Sequence, residues 1–341
     1  MIDALLNFGI TIIAALQGLG GWLQLPMQIF SLLGREEFFL FVAPLLYWSI
    51  NSEIGLRVGL LLMISGCVND ALKMALHLPR PYWFSDQIQA YSSETSFGAP
   101  SGHAQHAVVV WGGIAHGIRR DWAWAAAIIL MLLIGVSRLY LGVHFPSDVI
   151  LGWLIGAAIL ISGIGLQGAF LRWFGTLSLP DRYLTIVGTS LTLLLLGTAA
   201  RLSLVGWQIP SLWSVNAAAA RPLDTPISPG NLNGLVSNAG VFFGLAIGAL
   251  TLQRLGGFSA EGSLTQRLLR FALGVVGVFL LWYGLGKIFP RTETIIAYAL
   301  RWLRYALIGG WVALGAPLIF RQLRLAHGTP PPTPAEPAVA D

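Results

Sequence analysis

Charge is scarce in this chain. Only 10% of its residues are Asp, Glu, Lys or Arg, against about 25% in a soluble domain. Hydrophobic residues make up 55% of the 341, and the mean hydropathy is +0.72. Together these exclude an ordinary water-soluble globule and point to an integral membrane protein. Cysteine is all but absent: Cys67 stands alone inside an apolar run, which allows no intrachain disulfide and no thiolate metal site. The net charge is +5 and the basic residues are scattered, which argues against a nucleic-acid partner. The ten-residue alternation of a transmembrane barrel is missing, and so is any internal repeat. The N-terminus has neither the basic region nor the cleavage site of a removable signal peptide, so insertion is expected to rely on internal apolar segments.

The chain is rich in what a helical membrane protein uses. It has 13 Trp and 40 Gly, residues that suit the membrane interfaces and the close contacts between helices. Apolar runs fall near 37–52, 54–76, 101–119, 122–140, 147–168, 183–203, 233–253, 267–287 and 295–320. Several of their uncharged cores are shorter than the roughly 20 residues of a full crossing. The fold class is therefore all-α, a polytopic membrane helical bundle of about nine transmembrane helices. Ahead of them, residues 1–34 read as amphipathic or half-buried helices interrupted at Gly18, Gly20 and Gly21, with a true membrane span over 3–33 as the alternative. Residues 35–170 form a core, 171–325 a four-helix extension, and 326–341 a Pro/Ala-rich tail that reads as disordered. A long connection at 206–232 carries Trp207, Trp213, Asn216, Arg221, Asp224 and four prolines.

Three stretches break the apolar pattern: Lys73 to Arg80-Pro81, Pro100-Ser101-Gly102-His103, and Ser137-Arg138 to His144 and Asp148. Ionisable groups at a membrane boundary are costly and mark function by default. Counting spans brings the ends of the second and fourth, and the starts of the third and fifth, to one side, so all three stretches converge. With Lys73, Arg80 and Arg138 set aside, ten basic residues lie on the opposite side against seven on this one. The positive-inside rule then puts the constellation outside the cytoplasm.

Lys73, Arg80 and Arg138 are cations that can converge on one anion, the arginines by planar forks that match phosphate oxygens. Ser101 and Gly102 stand at a helix start, where backbone N–H groups favour an anion. Asp148 lies four residues after His144 and can reach one imidazole nitrogen, leaving the other as a nucleophile. His103, beside the anion site, is suited to protonate a leaving oxygen. No carboxylate cluster resembles a two-metal site, so no metal or other cofactor is expected. Asp70 shares a helical face with Lys73; it is read either as an ion-pair partner that orients the lysine or as part of a water-facing helix end. His106, one turn beyond His103, reads as a supporting or packing residue. Glu94 reads as a solvated loop residue near the entrance, Tyr82 and Trp83 as belt aromatics or substrate contacts, and Arg221–Asp224 as a structural ion pair or a head-group reader. Gly152-x3-Gly156 suits close helix packing.

Lys73-x6-Arg80-Pro81, Pro100-Ser101-Gly102-His103 and Ser137-Arg138-x5-His144-x3-Asp148 resemble, complete and in order, the three signature motifs of the type-2 phosphatidic acid phosphatase and vanadium haloperoxidase superfamily. The resemblance implies a helical core and a phosphohistidine mechanism without a metal. It implies His144 as nucleophile, Asp148 as its partner, His103 as general acid, and Lys73, Arg80, Ser101, Gly102 and Arg138 as the phosphate-binding set. Nine spans, Arg80-Pro81-Tyr82-Trp83 and the prolyl loop before the seventh span resemble the glucose-6-phosphatase branch. The expected activity is hydrolysis of a phosphate monoester or diphosphate, foremost of a lipid such as phosphatidate, phosphatidylglycerol phosphate or a polyprenyl diphosphate. A sugar phosphatase is the alternative. Halide oxidation with vanadate would suit a soluble relative, and a lipid-binding or transport protein without activity would suit replaced motif residues. The expected setting is a bacterial-type plasma membrane with the site facing outward, and membrane lipids as neighbours.

Overall fold

Proline, glycine and short polar side chains punctuate the apolar runs, and the helices of the computed structural model, which describes residues 2–328, begin and end at them. The predicted tail beyond residue 328 lies outside the described residues. Two helices, α1 (Ile2–Gln17) and α2 (Gln24–Leu32), meet at 90° across the glycines at 18–21. Each keeps one face exposed; α1 buries Leu6, Ile10 and Ile13 against Ile88 and Phe145. Taken together, the bent pair is long and apolar enough for one interrupted span.

Among the described residues, nine helical stretches follow in the positions of the predicted spans. First comes α3 (Glu36–Leu45), which widens into a π-type turn at Leu46–Ile50, and then α4 (Ser52–Leu76). Asn51 caps α4 by accepting the Ile54 N–H at 2.9 Å, and His77 closes it in the left-handed conformation at φ 52°. A single turn, α5 (Pro81–Phe84), precedes α6 (Gly102–Ile118), α7 (Asp121–Tyr140), α8 (Pro146–Thr176) and α9 (Leu179–Leu202). The predicted 206–232 loop contains a helix of its own, α10 (Ser211–Ala220). The last spans are α11 (Asn233–Arg254), α12 (Leu264–Ile288) and α13 (Ile295–Gly310), which passes through a second π-type turn at Trp311–Gly315 into α14 (Ala316–Gln322).

Among the described residues, seven helices are long and apolar enough to cross a membrane. The predicted first and third spans are shorter. Pro44 and the π-type turn interrupt the first; α6 has 17 residues and is buried along most of its length. It is the central post of the bundle, packed between α4, α7 and α8. At Gly152 and Gly156 of α8, a Cβ would come within 2.6 Å of Ser101 O and 2.5 Å of Gln105 O, so this small-residue pair lets α8 lie directly on α6. Large apolar side chains on α8, α9 and α12, such as Leu154, Ile161, Leu195, Val276 and Leu280, point outward, as expected where lipid rather than water surrounds the protein.

Two connections close the end of the bundle that carries the charged stretches. The 77–101 segment lies over the helix ends, and the 206–232 segment clamps it from above. Trp207 stacks on His77 at 5.5 Å and meets Phe97 edge-on at 5.4 Å. Asn216 donates to Trp83 O at 3.1 Å, and the Ser228 N–H donates to Thr95 O at 3.0 Å.

Candidate active site

The turn between α7 and α8 sets the first part of the site. Pro146 starts α8 with a fixed φ and no N–H to satisfy. Asp148, in the first turn, accepts the Phe145 N–H at 2.9 Å, the carboxylate half of a capping box. The same oxygen, Oδ2, faces His144 Nδ1 at 3.4 Å, with both side chains 1% exposed. On the other face of the ring, Arg80 Nη1 lies 3.3 Å from His144 Nε2. A guanidinium has only donors, so the nitrogen it faces must accept, and the ring proton belongs on Nδ1, toward Asp148. Burial pushes the His144 imidazole well below its ordinary value, and Arg80, Arg138, Lys73 and His103 push the same way. His144 is therefore a neutral imidazole with its Nε2 lone pair turned to the cations.

Those cations are held from the 77–101 segment. Arg80 is fully buried. It donates to Ser96 O at 2.7 Å, Val143 O at 3.0 Å, Phe97 O at 3.1 Å and Ser96 Oγ at 3.1 Å. Lys73, at the last turn of α4, donates to the same Ser96 hydroxyl at 2.9 Å. Arg138 donates to Ser31 Oγ of α2 and, at 2.6 Å, to Glu94 Oε1. Among the described residues, its Nε and the Nε2 of His103 are buried without a hydrogen-bond partner. Ser101 caps α6, accepting the Ala104 N–H at 3.5 Å, and its own N–H donates to Asp148 O at 2.9 Å. The α6 N-terminus is thereby tied to the start of α8, just after His144.

All eight residues expected to bind phosphate or act on it thus meet at one end of the bundle. Beside them lies a polar cavity of about 390 Å³ lined by Lys73, Gly102, His103, Glu94 and Ser96, among others. Arg80, Arg138 and His144 do not line it; they stand behind Ser96 and Glu94. The two supporting residues differ from expectation in part. His106 Nδ1 lies 2.9 Å from Ser65 Oγ. Asp70 does not pair with Lys73: among the described residues no ion pair within 4.0 Å includes it, because the lysine turns to Ser96.

Other residues carried no signal of their own. Ser96 and Ser31 are single serines with no motif around them. Asn69 donates to Pro100 O at 3.3 Å and Gln105 Oε1 at 2.9 Å, bracing the α6 start. Glu94, expected as a solvated loop residue or a lining of the entrance, lines the cavity and is the ion-pair partner of Arg138. The spacing of six residues before Pro100 was the one available hint. Arg221 and Asp224 form their own pair at 2.7 Å on the surface.

The sequence profile of the PAP2 superfamily matches residues 54–174, the stretch that holds all three clusters. A second profile, described as the transmembrane extension of PAP2 superfamily phosphatases, matches residues 236–328. An undecaprenyl-diphosphatase of Sulfolobus acidocaldarius is 31% identical over 158 residues, covering 46% of this chain and 72% of that protein. The chain belongs to the PAP2 superfamily. Another PAP2 relative, human glucose-6-phosphatase 2, is 30% identical over 247 residues, covering 62% of this chain and 66% of that one. This chain therefore spans about two thirds of the length of that glucose-6-phosphatase. A crystal structure of a transmembrane PAP2-type phosphatidylglycerolphosphate phosphatase from Bacillus subtilis aligns with TM-score 0.40 and 25% identity, over 47% of this chain and 86% of that one. The family recognised from the three motifs is thus the family of the chain, and the protein is an integral membrane member of it.

Proposed function

We propose that this PAP2 protein hydrolyses a phosphate monoester or diphosphate through a phosphohistidine on His144. The observation that carries the reading is the line Asp148–His144–Arg80, which leaves a neutral Nε2 facing the cations. The phosphoryl group binds to Arg80, Lys73 and Arg138 and to the backbone at Ser101 and Gly102. Nε2 attacks phosphorus, the N–P bond forms, and the P–O bond to the leaving group breaks. His103 gives its proton to that oxygen. Asp148 holds the Nδ1 proton and favours the cationic ring of the intermediate. Water then attacks phosphorus and gives its proton to His103; the N–P bond breaks and inorganic phosphate leaves. The cations stabilise the equatorial oxygens in both steps. Glu94 holds one arm of Arg138 until a phosphate oxygen takes it.

The 35–170 core carries this chemistry, and the 171–325 extension walls it. The charge count favours a site on the outer face of a bacterial plasma membrane. Candidate substrates are phosphorylated lipids and sugar phosphates; the names of the relatives, a glucose-6-phosphatase and an undecaprenyl-diphosphatase, span both. The test is phosphate release by purified protein in excess chelator, from a panel of lipid and sugar phosphates. His144→Ala should abolish it while leaving the protein monodisperse in detergent. Full turnover by that variant overturns the phosphohistidine.

A further inference from the structure

The cavity beside the cations is polar throughout. Glycines aside, every residue lining it is polar or charged. It runs down one face of α4 from Lys73 past Asp70 and Asn69 to Gly66, two helical turns or about 10 Å. Its volume of about 390 Å³ lies in the range of small-molecule sites, yet such sites are ordinarily lined by apolar side chains. Lys73, Gly102 and His103 form the end nearest the phosphate-binding set. The opposite end is built by Asn238 from α11 against Gly66 of α4, with Asp70 midway between it and Lys73.

These two side chains are accommodated deliberately by the packing of their helices. A Cβ at Gly66 of α4 would collide with the Asn238 amide, and a Cβ at Gly234 of α11 would come 2.6 Å from Asp70 Oδ2. Each helix thus gives up a side chain opposite the other's polar group. Asn238 is only 2% exposed. Neither its amide nor the Asp70 carboxylate has a hydrogen-bond partner among the described residues. A buried polar group is costly when left unpaired, so a cavity lined by Asn238 and the half-buried Asp70 is suited to a ligand that donates and accepts.

We propose that this end of the cavity receives the leaving group of the ester, that this group is a small uncharged polyol or sugar, and that Asp70 and Asn238 read its hydroxyls. The proposal rests on the phosphatase reading above, in which His103 stands between phosphate and leaving group. A hydroxyl donates to the carboxylate and both donates to and accepts from the amide. An acyl or prenyl chain would find no apolar wall here. A second phosphate would meet Asp70 and Glu36 against Arg35, and like charges in such a site are repelled. The polyol either leaves free, from a sugar or polyol phosphate, or is the hydroxylated tip of a lipid head group whose phosphodiester and chains stay outside the cavity.

The experiment compares kcat/KM for glucose 6-phosphate, glycerol 3-phosphate, phosphatidylglycerol phosphate, phosphatidate, farnesyl diphosphate and p-nitrophenyl phosphate, the last as a reference without hydroxyls. The wild type should prefer the hydroxylated monoesters; the better of the soluble and lipid-linked ones identifies the source. Asp70→Asn and Asn238→Ala should each lower the ratio of hydroxylated to reference substrate by about tenfold or more, through KM, as expected when a site loses a hydroxyl partner. Preference of the wild type for phosphatidate or farnesyl diphosphate overturns the proposal without needing either variant. So does an unchanged ratio in variants that remain folded. Loss of activity on p-nitrophenyl phosphate in His144→Ala tests the phosphatase reading separately: its persistence sinks that reading, whatever the substrate order.

Discussion

The Glu94 carboxylate meets the Arg138 guanidinium at 2.6 Å, with the arginine fully buried and the glutamate 30% exposed. Tyr82 fixes the backbone of Glu94 on both sides, its hydroxyl accepting the Glu94 N–H at 3.1 Å and donating to the Glu94 carbonyl at 2.9 Å. Burial works to raise the Glu94 carboxyl, but Arg80, Arg138, His103 and Lys73 outweigh it and hold the group well below the usual carboxylate range. It is a resident anion in a site proposed to bind anions. Substrate must displace it or bind against its charge.

Glu94→Gln should therefore strengthen binding of a bare anion. Glutamine keeps an oxygen for Arg138 and removes the competing charge. Juxtaposed like charges cost up to several kcal/mol, and 1.4 kcal/mol is a factor of ten. The competitive inhibition constant of inorganic phosphate is expected to fall by about tenfold. An unchanged or weaker constant would show that Glu94 does not share the phosphate position.

Ser96 joins two cations. Its hydroxyl accepts from Lys73 at 2.9 Å and from Arg80 at 3.1 Å, and its carbonyl accepts from Arg80 Nε at 2.7 Å. Hydrogen bonds to charged groups are worth about 1.5–3 kcal/mol each. Ser96→Ala leaves the carbonyl in place and releases the two side-chain bonds. We expect kcat/KM to fall by roughly 10- to 100-fold, with partial recovery in Ser96→Thr. Wild-type kcat/KM in Ser96→Ala would remove Ser96 from the site.

The nine helical stretches and the three clusters were legible because each repeats a simple rule: an uncharged run long enough to bury, or charges stranded at its end. The contacts that assemble the site follow no such rule. Ser31 reaches Arg138 across 107 positions, and Asn238 approaches Gly66 from the far half of the chain. Both depend on how helices pack, which a single sequence does not encode locally. Glu94 was read by its neighbours, a polar loop of serines, whereas its partner lies 44 residues away. Asp70 was left open between a partner for Lys73 and a water-facing helix end. Helical spacing places it on the face of Lys73, but a lysine at the end of its helix was free to turn to the loop instead.

The neutral state of His144 links stability to pH. An unfolded histidine titrates near pH 6.5, whereas burial and the surrounding cations hold the folded imidazole well below that. Below about pH 6.5 the unfolded chain binds the extra proton and the folded protein does not. Stability is then fully present above that pH and is lost as pH falls, by up to about 1.4 kcal/mol per unit, until the folded group itself protonates. Thermal unfolding in detergent should show the midpoint of the wild type dropping between pH 7 and pH 5, and His144→Asn dropping less. Equal drops would rule out His144 as the source.

Gly142 sets where His144 points. It sits at φ +74° in the turn after α7, a conformation that costs other residues roughly 1–2 kcal/mol. A Cβ there would also strike the Gln89 carbonyl. The turn cannot yield, because Gln17 of α1 clamps it: its amide donates to Gln89 O at 2.8 Å and Tyr140 O at 2.9 Å, and its oxygen accepts the Gln89 N–H at 3.1 Å. Gly142→Ala must then push the turn away from the 77–101 segment, and His144, two residues on, moves relative to Arg80. A shift of about 1 Å at a reacting group costs on the order of 100-fold in rate. Because Lys73 and Ser96 lie on the other side of that contact, and Arg80 is held there by Ser96 and Phe97 with only its Val143 and His144 contacts crossing it, phosphate binding should suffer less than attack. The expected result is a kcat lowered by about 100-fold with KM changed only a few-fold. Gln17→Ala, which loosens the clamp without adding an atom, should lower kcat less. A Gly142→Ala protein with wild-type kcat would show that the turn does not position the nucleophile.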